Sequence, residues 1–199
     1  MISALPFALP AALEACLRAA YASPPRAYHD FSHVEEVLAH FQSVPRWDDP
    51  VAVAVAILFH DAIYQAGRTD NEAESARLMR EALCETPPPV PCDVTRAEAL
   101  ILLTARHGSL GAETFDHDTA HFLDCDMAIL GAPPERYQLY EQQIAAEYAT
   151  VPAQLYRAGR ARFIDKLLAS SRIYLSDTFH ARLEQRAREN LSAALGALA

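Results

Sequence analysis

Nine consecutive apolar residues, 51–59, are followed directly by His60 and Asp61. β-Branched residues occupy every second position at the start of this run, as in a buried strand, but the apolar character resumes after Asp61 and reaches Tyr64, beyond typical strand length. The Asp-Pro pair at 49–50 is typical of a helix N-cap with proline at the first helical position. The run therefore predicts a helix, and a helix that is apolar on every side belongs at the centre of a bundle.

The rest of the chain also favours helices. It has six glycines, no stretch of polar–apolar alternation, and segments rich in Ala, Leu, Glu and Arg between proline-rich breaks. With 199 residues, 51% of them hydrophobic, it is long enough for one core and short for two. We predict a single all-α domain over residues 1–199, a bundle of eight or nine helices. The predicted helices cover residues 10–22, 32–43, 50–64, 70–86, 93–106, 117–130, 133–149, 153–171 and 177–195.

Charge and composition limit the partners and the compartment. The chain has 26 acidic and 17 basic residues, a net charge of -9, so its surface repels polyanions and long nucleic acid is not expected as a partner. The longest apolar run is about half of a membrane-spanning helix, and no basic region precedes the apolar stretch near the N-terminus. Its four cysteines form no C-x-x-C pair. We predict a cytoplasmic monomer or homodimer that lacks a membrane segment and a signal peptide.

His60 and Asp61 emerge from the apolar run where water is scarce. Burying an imidazole and a carboxylate without partners costs free energy, and a divalent metal ion is a partner for both. Neighbouring helical residues point about 100° apart, so further ligands must come from other helices. We predict that His33, at the start of the second helix, and Asp126, in a later apolar segment, are these ligands. Two imidazoles and two carboxylates favour Mn, Ni, Co, Fe or Zn over Mg.

These residues resemble the pattern of the HD-domain superfamily of metal-dependent phosphohydrolases, which has one His, then an adjacent His-Asp, then a distant Asp. More narrowly, the chain is similar to the family described as predicted metal-dependent HD superfamily phosphohydrolases. The resemblance covers about residues 20–192 and is carried by RAYHDFSHVEEVL, ILFHDAIY, DNEAESA, LTARHG, FLDCDMAILG and EQRARENL. It implies a helical bundle that acts on a nucleotide or another small phosphorylated molecule.

The chain departs from the family pattern at two places. Family members often carry Arg just before the Glu-Tyr of the helix after the last ligand, whereas Ala146 precedes Glu147 here. If that Arg binds an anion, another residue must do so in this chain. Some nucleotidase branches also use a glutamate one turn after the His-Asp pair, but residues 62–65 are Ala, Ile, Tyr and Gln. The general acid is therefore not identified by the motifs.

Several further residues are candidates for catalysis or substrate binding. We predict that Asp61 orients the attacking water in addition to binding metal, and that His107 acts in the pocket, although a histidine there also complements a helix C-terminus. Arg26, Tyr28 and Arg160 are predicted to bind substrate, the two arginines as phosphate clamps. Ordinary surface charge is the alternative explanation for both arginines.

Other polar residues receive weaker interpretations. His40 follows His33 by seven residues, about 10 Å along a helix, too far to share the ion. Glu72 and Glu74 suit a helix N-terminus, where the dipole favours acidic side chains, and one of them is also a candidate to face the metal water. Asp124 is a candidate for a capping or supporting role beside Asp126.

Two alternatives to hydrolysis stay open. His117 and His121 are four residues apart, a spacing compatible with a metal pair, and some relatives of the superfamily hold two irons with extra histidines and perform oxygenation. We expect mostly structural roles for both. A nucleotide-binding regulator that keeps the metal without turnover is the other alternative, favoured by the missing Arg before Glu147.

Overall fold

The computed structural model describes residues 5–107, 110 and 115–198. Gly108, which ends the LTARHG motif, lies outside them. The described residues form nine α-helices and a short 3-10 helix and contain no β-strand, so the prediction of an all-α chain with eight or nine helices is confirmed. None of the described helices combines the length and the hydropathy needed to cross a membrane.

The chain divides into two compact units, Met1–Ala105 and Arg106–Ala199. The prediction of one HD-type domain stays a prediction. The first unit contains α1 to α5, which are Ala11–Tyr21, Phe31–Ser43, Pro50–Phe59, Asn71–Glu85 and Val94–Thr104. The second unit contains α6 to α9 and the 3-10 helix that follows α6, namely His117–Asp126, Met127–Gly131, Pro134–Glu147, Ala153–Ala169 and Asp177–Leu198.

Helix α3 is the centre of the first unit. All eight of its residues from Ala52 to Phe59 are buried, and it packs against α2, α4 and α5. The side chain of Asp49 accepts a hydrogen bond from the backbone N–H of Ala52 at 3.0 Å, as an N-cap does, and Pro50 is the first helical residue. The prediction of a central apolar helix is therefore confirmed.

The predicted end of this helix was wrong. The sequence pattern extends it to residue 64, whereas the structure ends it at Phe59, with His60 as the C-cap and Asp61 beyond it. The cause is tertiary: side chains from other segments bind the backbone groups of residues 61–65 that a longer helix would have used itself. His60 therefore ends the helix, with its N–H still bound to the carbonyl oxygen of Ala56, and Asp61 lies beyond it on a turn.

Helix α9 organises the second unit through the residues of the EQRARENL motif. Glu184 accepts hydrogen bonds from the backbone N–H groups of Ile173 and Tyr174, and Arg188 donates to carbonyls at the end of α8. Asn190 donates to the carbonyl oxygens of Leu130 and Ala132. The polar residues of this motif therefore tie α9 to neighbouring segments of its own unit.

Candidate metal centre

The first candidate ligand, His33, lies in the first turn of α2. Asp30 caps this helix by accepting a hydrogen bond from the backbone N–H of Ser32 at 2.8 Å, which fixes where the helix begins and so where His33 points. His33 is 3% exposed, and its ring lies 4.7 Å from that of Tyr28, which is also buried. Tyr28 therefore packs on the edge of the candidate centre; its predicted contact with substrate stays a prediction.

The second candidate ligand, His60, is 1% exposed at the end of α3. Its Nδ1 lies 2.9 Å from the carbonyl oxygen of Ile57. A carbonyl can only accept, so Nδ1 carries the proton, and in the neutral ring Nε2 keeps a lone pair. This backbone contact selects the tautomer that a metal ligand requires.

Three ligand atoms meet within the first unit. His33 Nε2 and His60 Nε2 are 3.1 Å apart, and Asp61 Oδ2 lies 3.2 Å from His60 Nε2 and 3.6 Å from His33 Nε2. Two imidazole nitrogens bound to one ion at about 2.0–2.1 Å are separated by about 2.8–3.4 Å for bond angles between 90° and 109°. The observed separation of the two nitrogens fits that range.

The electrostatics of this cluster also fit a cation. The lone pair of His60 Nε2 and the carboxylate of Asp61 are both acceptors, and two acceptors 3.2 Å apart repel each other unless a proton or a cation lies between them. His33 can donate its Nε2 proton to one of them only. A cation satisfies all three atoms at once, so this group could hold a metal ion.

Asp126, the last residue of α6, is the remaining predicted ligand. His33 and His60 belong to the first unit and Asp126 to the second, and the role of Asp126 as a ligand stays a prediction. Within its own unit, Asp126 Oδ2 lies 2.8 Å from His107 Nε2. Because a carboxylate accepts, His107 donates this hydrogen bond and orients the Asp126 carboxylate.

The two arginines predicted as phosphate clamps are both occupied within their own units. Arg26 donates to the backbone carbonyl oxygens of His29, Asp61 and Ala62. Arg160, buried in α8, forms an ion pair with Glu141, its Nη2 lying 2.5 Å from the carboxylate. Binding of phosphate by either guanidinium would have to compete with these partners, and both assignments stay predictions.

The other histidines and acidic residues have local partners. His121 Nδ1 lies 2.8 Å from the carbonyl oxygen of His117 and the two rings are 4.1 Å apart, but among the described residues neither ring belongs to a group of three or more potential ligands. Glu74 pairs with Arg77 on the surface of α4. The spacing of the two histidines therefore reflects a helical turn in which one ring packs on the other.

Asp124 supports the start of α9. Its carboxylate accepts hydrogen bonds from the backbone N–H groups of Leu175 and Ser176 at 2.7 Å each, and from the Ser176 hydroxyl at 2.6 Å. Burial raises the pKa of Asp124 to about 6, against the lowering effect of these hydrogen bonds. Asp124 therefore has a capping role in front of α9, and a supporting role beside Asp126 stays a prediction.

Two residues of the centre's surroundings were not singled out in the sequence. Asn71 and Ser75, in the DNEAESA motif, point inward from α4 and bind the backbone of Gln65 and Ile63. Their spacing of four residues, on the same helical face as the buried Met79, was the available signal.

In comparisons with known proteins, no family model, no curated protein and no solved structure matches this chain. The likeness to HD phosphohydrolases is therefore carried by the motifs alone. A function for the chain has to be argued from the chemistry of its own residues.

Proposed function

We propose that this protein is a metal-dependent phosphohydrolase of the HD type that acts on a nucleotide or another small phosphorylated molecule. The observation that carries the proposal is the convergence of His33 Nε2, His60 Nε2 and Asp61 Oδ2 within 3.6 Å, with the tautomer of His60 fixed by Ile57. Asp126 is the proposed fourth ligand. The order of these four residues along the chain is that of the HD pattern.

A divalent ion at this centre supplies Lewis acidity, which activates water and polarises a phosphoryl oxygen. The residues of the chain have separate tasks in the proposal. His60 and His33 present Nε2 to the ion. Asp61, whose side chain is 16% exposed, holds the attacking water by accepting its hydrogen bond. His107, hydrogen-bonded to Asp126, is the proposed proton carrier for the leaving group.

The test is hydrolysis by the purified full-length chain loaded in turn with Mn, Co, Ni, Zn and Mg, against a panel of nucleotides and phosphomonoesters. We expect phosphate release with at least one transition ion and its loss in His60→Ala. His40→Ala is the matched control, because His40 lies two turns beyond His33 on α2.

The outcome of the same assay separates the alternatives. A chain that binds metal and nucleotide but releases no phosphate would be the non-catalytic regulator, consistent with Ala146 in place of Arg. Turnover that requires oxygen and a reductant, with two irons bound, would overturn the hydrolase proposal in favour of an oxygenase.

A further inference from the structure

The segment that carries two of the proposed ligands is a turn, not a helix, and side chains from elsewhere hold it in place. We call residues 60–65 the ligand turn. Because this segment is not helical, its backbone N–H and C=O groups are not paired with one another as they are in a helix. Its shape therefore depends on hydrogen bonds from other segments. The principal partner is Arg26: its Nη1 donates to the carbonyl oxygen of Asp61 and its Nη2 to that of Ala62, each at 2.8 Å.

The same guanidinium also reaches the segment in front of α2. Its Nη1 donates a second hydrogen bond, of 2.5 Å, to the carbonyl oxygen of His29, four residues before His33. One rigid, planar group therefore joins the segment that leads into His33 to the segment that carries His60 and Asp61. Lysine cannot reproduce this arrangement, because its ammonium is a single centre without the fixed fork of a guanidinium.

Most of the donors of Arg26 are used in this way. In addition to the three bonds to carbonyls, its Nε donates to the Ser23 hydroxyl at 3.2 Å. Arginine has five N–H groups and a bidentate phosphate clamp needs two of them. Four are already committed, so the geometry favours a structural task for Arg26 over phosphate binding.

Two side chains of α4 hold the far end of the ligand turn. The Ser75 hydroxyl accepts from the N–H of Ile63 at 3.0 Å and donates to its carbonyl oxygen at 3.1 Å. Asn71 binds both the N–H and the carbonyl oxygen of Gln65 at 3.0 Å. Both side chains are buried, so these hydrogen bonds are shielded from competition with water.

We propose that Arg26 is a positioning residue for the metal centre, which sets the distance from His33 to His60 and Asp61 through the backbone, with Ser75 and Asn71 fixing the rest of the ligand turn. This inference rests on the proposed metal site. It gives a physical reason for the presence of Arg, Asn and Ser in the RAYHDFSH and DNEAESA motifs without contact between those side chains and the ion.

The experiment measures metal affinity directly, by competition with a chromophoric chelator, on the full-length chain and its Arg26→Ala, Arg26→Lys and Ser75→Ala variants. Loss of a group that orients a metal ligand typically weakens binding about 10–100-fold, and we expect this range for both Arg26 variants. The visible absorption spectrum of the Co²⁺-loaded protein, which reports coordination geometry, should change as well.

The control for general destabilisation is Leu83→Ala, which removes a buried side chain on α4 two turns beyond Ser75. It should bind Co²⁺ with the affinity and spectrum of the unaltered chain at a temperature where circular dichroism shows every variant folded. An Arg26→Lys variant with unaltered affinity and spectrum, or an equal loss in Leu83→Ala, would overturn the inference alone. An unaltered chain that binds no ion would overturn the proposed function and this inference with it.

Discussion

His33 Nε2 and His60 Nε2 lie 3.1 Å apart although 27 residues separate them in the sequence. Each ring is placed by a different local device: an Asp30 cap at the start of α2, and a hydrogen bond from Nδ1 to the Ile57 carbonyl oxygen at the end of α3. Packing of α2 against α3 then brings the two nitrogens together.

Metal content follows from the ligand assignment. The purified chain should contain about one first-row transition ion, because imidazole nitrogens favour such ions over Mg. His33→Ala and Asp126→Ala should each lower the content well below that of the unaltered chain, and His40→Ala should leave it unchanged. Elemental analysis after removal of loosely bound metal measures all three. An equal loss at His40 would contradict the assignment.

His107 should affect turnover more than metal stoichiometry. It donates a hydrogen bond of 2.8 Å to Asp126, so its loss frees that carboxylate to rotate and removes a proton donor. We expect His107→Ala to slow phosphate release by roughly a hundredfold at saturating metal, with the same number of ions bound. His121→Ala is the control and should leave phosphate release and metal content nearly unchanged. If His107→Ala or His121→Ala instead binds one metal ion fewer per chain, the result supports the alternative of a dinuclear-iron oxygenase.

Gly131 should be intolerant of a side chain. A Cβ at this position would lie 2.7 Å from the Cβ of Leu183 and 3.0 Å from the hydroxyl of Tyr174. Gly131→Ala should therefore reduce the free energy of unfolding by about 1–3 kcal/mol through overpacking against α9. Urea unfolding followed by circular dichroism gives the value.

Gly159→Ala is the matched control for that substitution. Gly159 lies inside α8, and nothing would lie within 4 Å of its Cβ. Alanine there should leave the free energy of unfolding unchanged or raise it by about 0.5–1 kcal/mol, because it restricts the unfolded chain and favours helix. Equal losses in the two variants would show that the close approach of Gly131 to Leu183 does not matter.

Glu184 should make the fold sensitive to acid. Burial alone would raise its pKa, but hydrogen bonds from the backbone of Ile173 and Tyr174, with the Arg188 ion pair, hold the pKa below its usual value of 4.5. A lowered folded pKa means that the unfolded chain binds more protons in that range. The contribution of ionised Glu184 to the free energy of unfolding is fully present above about pH 4.5. It is lost as the pH falls further, through the folded pKa.

A pH series of unfolding curves tests the role of Glu184. Glu184→Gln should be less stable than the unaltered chain at neutral pH, and the difference between them should shrink as the medium becomes acidic below pH 4.5. Glu189→Gln, one turn further along α9 on the exposed surface, is the control. If the difference in stability between Glu184→Gln and the unaltered chain did not change with pH, the charge of Glu184 would contribute nothing to stability.

The helical class and the burial of α3 on every side were predictable from the sequence. A run of apolar residues on all sides of a helix has no favourable place except the core, and a His-Asp pair at its end needs a polar partner there. Those requirements depend on residue type and order alone. They hold whatever the details of packing are.

The end of α3 at Phe59 and the tasks of the arginines depended on tertiary structure. Local periodicity extends the helix to residue 64, but Arg26 and two side chains of α4 bind the backbone of residues 61–65 and stabilise a turn instead. In the same way, the guanidinium of Arg160 is paired with the carboxylate of Glu141, nineteen residues away in the sequence. The sequence determined which groups are charged or polar; only the fold decided which partners reach them, because hydrogen bonds act over about 3 Å in space, irrespective of distance along the chain.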